Sequence, residues 1–325
     1  MLEHRLAKLA AVATFILLVI GGTVNPTGSS LACPEPTFVC HGQLFPPMTG
    51  GVFYEHGHRL AAMSVGFLQI ALTIVLLVRR RWMKLPFLLI GLVLAQGALG
   101  AITVGFKLPW FVSTGHLLLG MSYFATLIYT AFLTRPAPSV IELDWHARLI
   151  AALGPARRWI GIACGAVFVQ LLLGALVRHL GAAMVCLGVP ECTRSGDWWP
   201  DAAVQQLHMV HRGFGVVVAI VTTIAAVQVF RRTREWPALR LLSLIAPLLV
   251  LGQLGLGIAT VLTMRAVPLA VAHFAGAASL WALWMSAWLM SAPREKTAAM
   301  PAAKLRREGP ESPARAVARG AEPTA

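Results

Sequence analysis

The sequence predicts an all-α integral membrane protein, with eight transmembrane helices arranged as two tandem four-helix bundles related by internal duplication. Three observations carry this expectation. Uncharged apolar stretches of about 20 residues, each able to cross a hydrocarbon core of roughly 30 Å, recur along the chain. Basic residues alternate sides between these stretches. The second half of the chain also repeats landmarks of the first. A chain that is 57% hydrophobic and 12% charged across 325 residues lies outside the range of soluble domains, and in lipid such spans must be helices that satisfy their own backbone.

In chain order the expected spans are 7–23, 58–78, 85–105, 113–133, 158–177, 209–230, 241–262 and 267–290. The first begins basic and then apolar, as a signal peptide does. It has no small-x-small cleavage site before Asn25-Pro26 and has a counterpart later in the chain, so it is read as a helix. The organisation that follows is an N-terminal four-helix half (1–133), an inner linker (134–157), a C-terminal half (158–290) and a disordered tail (291–325). Within the linker, "IELDWHARLIAAL" reads as a short amphipathic helix at the interface. The tail is rich in Pro, Ala and charge and has no apolar periodicity.

A net charge of +14 would suit a nucleic-acid ligand if the charges formed one patch. They do not. Placing both termini inside puts 21 of the 27 Lys and Arg on that side and leaves Arg59, Lys107, Arg178, Arg194, Arg212 and Arg265 outside. That is the positive-inside pattern. It implies a multi-pass protein of a cell inner membrane with cytoplasmic termini, lipid as its surroundings and no nucleic-acid partner. Four of the five cysteines fall in the two long outer segments, where an oxidising compartment favours the pairs Cys33–Cys40 and Cys186–Cys192 as disulfides over metal thiolates. Cys164, within a span, reads as a small buried hydrophobe.

The repeat is explicit. Gly21, Cys33, His58 and Arg59 recur 153 residues later as Gly174, Cys186, His211 and Arg212. Gln96, Gly100, Thr103, Val104 and His116 recur at an offset of 157 as Gln253, Gly257, Thr260, Val261 and His273. A loop between the second and third spans of each half absorbs the change of offset. Each half therefore places two histidines, His58 and His116 or His211 and His273, at the outer ends of its even-numbered helices. A lone histidine at a helix end is ordinarily a hydrated interfacial group. Four in register across a repeat point to paired imidazoles on the two faces of a heme. A zinc or copper site would want a third or fourth ligand close by, and only His208 offers itself. "GALG" and "GLG" in the third and seventh spans would let a flat cofactor or a neighbouring helix approach. Gln96 and Gln253 read as helix–helix hydrogen-bonding groups. Arg59 and Arg212 follow a histidine in each half and have two readings, snorkelling to the interface or forking onto propionates, of which the second is preferred.

The halves differ at one position. Glu55 lies three residues before His58, whereas His208 stands before His211. Glu55 is either a proton-transferring group beside a macrocycle, or a structural group that caps the second span or pairs with Arg59 at i,i+4. His56 is read as lying away from the ligand face, behind it or towards solvent.

These segments resemble one family. "EHGHRLAAM" is similar to the E-x-x-H-R entry of the second helix in heme A synthases, and "STGHLLLGM", "QQLHMVHRGFG" and "VAHFAGAASLW" look like its other histidine segments, over about residues 7–290. The resemblance implies oxidation of a methyl group of heme O to a formyl group through successive hydroxylations, with a resident heme b as iron cofactor. It implies His58 and His116 as ligands of the substrate heme, Glu55 as catalytic acid/base, and His211 and His273 as ligands of heme b, with His208 the rival to His211. It further implies a disulfide, Cys33–Cys40, near the substrate site, and a partner, the farnesyltransferase that makes heme O. A homo-oligomer is left open. The alternatives are a diheme b-type electron carrier, which needs no Glu55 and ordinarily sets its hemes at opposite depths, and a cofactor-free transporter, which calls for polar groups at the midplane.

Overall fold

The computed structural model describes residues 1–80, 82–136 and 140–292, with side chains left out over 140–143; the tail beyond Ala292 lies outside the described residues. Among these residues there are eight helices long and apolar enough to cross a membrane: α1 (Leu2–Val24), α2 (Gly50–Arg79), α3 (Leu85–Gly105), α4 (Trp110–Leu133), α5 (Val140–His179), α6 (Ala203–Arg232), α7 (Pro237–Leu262) and α8 (Val267–Met290). The expected all-helical membrane architecture is therefore what the chain adopts.

Several helices begin before their expected boundaries, α1 at Leu2 and α7 at Pro237 among them. α2 begins at Gly50 and α6 at Ala203, about two turns before the apolar runs begin, because their polar first turns pack under the outer disulfide loops. The linker is not a separate short helix. From Val140 its residues belong to the same 40-residue helix that crosses the membrane, with Pro155 inside it. Proline removes one backbone donor, but it leaves a helix intact where packing on either side holds the turns; Leu153, Ala156 and Ile160 supply that packing from the core.

Helices α1 to α4 pack as a closed ring, each against its two neighbours, and α5 to α8 do the same. α2 and α4 are thus diagonal partners in the first bundle, and α6 and α8 in the second. The bundles meet along α1, α4, α5 and α8, where the Trp281 indole N–H donates to the Met121 carbonyl at 3.1 Å in a buried setting. Small residues bring helices together: an added methyl on Gly161 would lie 2.7 Å from the Trp288 ring, and one on Gly22 2.8 Å from the Phe274 ring. Outward faces stay apolar, with Phe67, Ile74, Leu94 and Leu248 exposed, as helix surfaces facing lipid require. The α3–α4 and α7–α8 turns share one conformation. Lys107 and Leu108, and likewise Met264 and Arg265, take positive φ, while the Leu108 and Arg265 amides reach back to Thr103 and Thr260 at 2.7 Å.

Candidate functional site

Each of the four histidines is seated on a glycine of the preceding odd-numbered helix. A methyl built on Gly21 (α1) would stand 2.7 Å from Cε1 of His58 (α2), and one on Gly100 (α3) 3.4 Å from that of His116 (α4). In the second bundle the distances are 3.2 Å from Gly174 (α5) to His211 (α6) and 3.3 Å from Gly257 (α7) to His273 (α8). All four rings are half-buried, and all four Nδ1 atoms are enclosed without a hydrogen-bond partner. The two histidines of a bundle sit on diagonal helices and lie within electrostatic reach of each other. The His116 ring also stands by the Gln96 backbone and the His273 ring by that of Gln253. Two imidazoles on diagonal helices of one bundle form a donor set suited to a bis-histidine heme. Because Gly21 is the tightest seat, Gly21→Val should push His58 out of position. The expected result is loss of the His58-dependent part of heme binding, read by absorption spectra, with the second bundle's share unchanged.

Above the histidines, each outer loop closes on an arginine. Cys33–Cys40 and Cys186–Cys192 are both disulfides. Inside the first loop the Arg59 guanidinium donates to the carbonyls of Cys33, Glu35, Thr37 and Val39 at 2.6–3.2 Å. Inside the second, Arg212 donates to those of Cys186, Gly188, Pro190 and Glu191 at 2.7–3.4 Å. Both guanidiniums thus have loop carbonyls as partners, beside the propionate role expected of them. In the structure they hold the disulfide loops, since a tight loop turns its carbonyls inward and a planar fork of donors satisfies several at once.

Glu55 is part of the same assembly. It is buried; one carboxylate oxygen accepts from Arg59 at 2.6 Å and the other from the Cys33 amide at 2.9 Å. The i,i+4 pairing weighed from the sequence is therefore present. In the second half, Glu191 from the loop itself is the acid near Arg212. On the first loop's exposed edge, the amides of His41 and Gly42 donate to the Glu35 carboxylate at 3.0 and 2.8 Å. Slight burial there would raise the Glu35 pKa, but these donors outweigh it and hold the group below its usual value.

His208 is buried beside the Ala182 backbone, and it is His211 that sits on Gly174. His56 is not solvent-facing. It is fully buried against the first disulfide, its Nε2 2.9 Å from the Leu44 carbonyl. Gln96 bridges helices as expected, donating to the His116 carbonyl at 3.0 Å. Gln253 makes no such bond among the described residues. Gln170, which the sequence did not single out, donates to the His211 carbonyl at 3.0 Å. The sequence reading also passed over Arg178 and His179, which lie at the outer end of α5 and reach into the other bundle. Only their places among the outer cations and histidines marked them.

Residues 49–285 match the model of the cytochrome oxidase assembly protein family COX15-CtaA. The chain belongs to that family. Among similar curated proteins, the heme A synthase of Shouchella clausii is 28% identical over 81% of this chain and 87% of its own length. That of Geobacillus kaustophilus is 29% identical over 82% and 84%. That of Shewanella oneidensis is 26% identical over 85% and 92%. The region matched by the family model takes in both histidine pairs and the second disulfide loop, and begins after the Cys33–Cys40 loop.

Proposed function

We propose that this chain is a heme A synthase, an oxidoreductase that converts a methyl group of heme O to a formyl group through successive hydroxylations. The observation that carries the reading is the pair of bis-histidine settings, each ring seated on a glycine, in a chain of this family. The four residues fit heme: each bundle carries two of them on diagonal helices, their Nδ1 atoms are enclosed and claimed by no other group, and none belongs to a cluster of three His, Cys, Asp or Glu ligands among the described residues.

In this reading His58 and His116 hold the substrate heme O, and His211 and His273 hold heme b. A bound heme b supplies one-electron redox chemistry. The chain's own residues do the rest. Gly21 and Gly100 let the two imidazoles lie flat against their neighbours, so the ligating atoms are placed before substrate arrives. The first disulfide loop, clamped by Arg59, covers the outer end and limits water. Glu55, one helical turn from His58 and oriented by Arg59 and the Cys33 amide, exchanges protons at the substrate. The apolar outer faces of the helices accommodate a farnesyl tail from the lipid side. In this reading, supported by the side on which the basic residues gather, the site lies at the outer face of a cell inner membrane with cytoplasmic termini, and the farnesyltransferase that makes heme O is the partner that delivers an insoluble substrate.

The test is chromatography of acid-extracted hemes from cells that make heme O, with and without this chain. Appearance of the formyl-bearing heme A with the chain supports the reading. Heme O and heme B alone, with a bis-histidine spectrum on the purified protein, would favour an electron carrier instead.

A further inference from the structure

The outer end of α5 belongs to the second bundle but is fastened to the first. The Arg178 Nη2 lies 3.5 Å from the Gly22 carbonyl on α1, next to the glycine under His58. The neighbouring His179 Nδ1 lies 3.2 Å from the Thr114 hydroxyl on α4, two residues before His116. One helix end therefore touches α1 beside the glycine that seats His58, and α4 two residues before His116. Arg178 is half-buried, and its Nε is fully enclosed with no partner. Among the described residues no carboxylate forms an ion pair with Arg178 or with Arg265, a second guanidinium in its electrostatic neighbourhood on the α7–α8 turn. The arginines that follow His58 and His211 are already occupied by loop carbonyls.

A guanidinium with an enclosed, unsatisfied donor and a cationic neighbour is costly unless an anion completes it. Its long contact to Gly22 and the carbonyl end of α5 offer partial negative charge but leave Nε unmet. The anion that suits the position carries carboxylates at the outer edge of the first histidine pair. We propose that Arg178, supported by Arg265, is the carboxylate anchor of the His58–His116 site and grips the propionates of the heme held there. This rests on the heme reading of that site. It makes the first site a joint product of both bundles. The residues at the repeat-equivalent positions, just past the end of α1, are Asn25 and Pro26, so these positions offer the second site no matching cation.

The test uses iron protoporphyrin IX and its dimethyl ester, which has the same ring and iron without the two negative charges. Each is titrated into the purified full chain in detergent, and His58→Ala identifies the part of the absorbance change that belongs to the first site. The wild-type chain should prefer the free acid by about tenfold or more, the scale of one charge-assisted hydrogen bond. Arg178→Gln should lose that preference while still binding the ester, and Arg178→Lys should keep much of it. Equal binding of the two porphyrins by the wild type overturns the proposal. So does an Arg178→Gln variant that weakens both alike, which would make the residue a brace between bundles. Absence of any His58-dependent binding overturns the heme reading of the site, and the anchor with it. If Arg178→Gln folds poorly, Arg265→Gln on the turn is the second variant. It should reduce the free-acid preference in part, and an unchanged preference there counts against the pair.

Discussion

Glu55→Gln is expected to suppress heme A formation by at least about a hundredfold while both histidine pairs go on binding heme, the range in which a positioned acid/base group contributes. The side chain keeps its shape and still accepts the Cys33 amide, but it loses the charge that meets Arg59 at 2.6 Å and can no longer exchange a proton. The geometry also supplies a competing account, in which Glu55 merely secures the disulfide loop. Two readouts taken together separate them. If Glu55 is a loop brace, the variant should show a disturbed loop, measured as Cys33 and Cys40 becoming labelled by a thiol reagent after mild reduction at a lower reductant concentration than in the wild type. If it exchanges protons, product should vanish with that midpoint unmoved. Full activity in Glu55→Gln would remove the catalytic assignment outright. The second half serves as an internal control, because His208 stands at the equivalent position and its loop closes on Arg212 without a carboxylate from α6.

What the sequence disclosed, and what it hid, follows from the range of the forces involved. Spans read from apolar length survived because lipid imposes that length on each helix by itself. The disulfide pairs were legible because compartment and spacing are local properties. The histidine seats were half legible. Gly21, Gly100, Gly174 and Gly257 stood out as repeated glycines, but only packing shows that each lies under a ring. That Arg59 and Arg212 hold loop carbonyls was hidden because those carbonyls belong to the backbone, which has no letter in a sequence. The long α5 was broken too early, since Pro155 and the polar linker suggest a stop that packing of Leu153, Ala156 and Ile160 overrides. Arg178 and His179 were missed for a different reason. Their partners lie on α1 and α4, in the other half, and the repeat has no copy of them.

Loss of His273 is the second change with a large expected effect. His273→Ala should abolish the low-spin heme that purifies with the protein, whereas His58→Ala should leave that heme in place and remove only turnover. The asymmetry follows from the proposal that the second bundle keeps its heme while the first exchanges substrate for product. Without His273 a heme in the second bundle would lose one of the two imidazoles that would hold it, and no other histidine sits on Gly257 to replace it. Pyridine hemochrome content per chain measures the effect. The same assay decides between His211 and His208. His211 alone rests on Gly174 and lies opposite His273, so His211→Ala should empty the site and His208→Ala should not. Retention of heme in His211→Ala with loss in His208→Ala would move the ligand by one helical turn. It would also break the correspondence with His58, and with it the argument that both bundles hold heme in the same way.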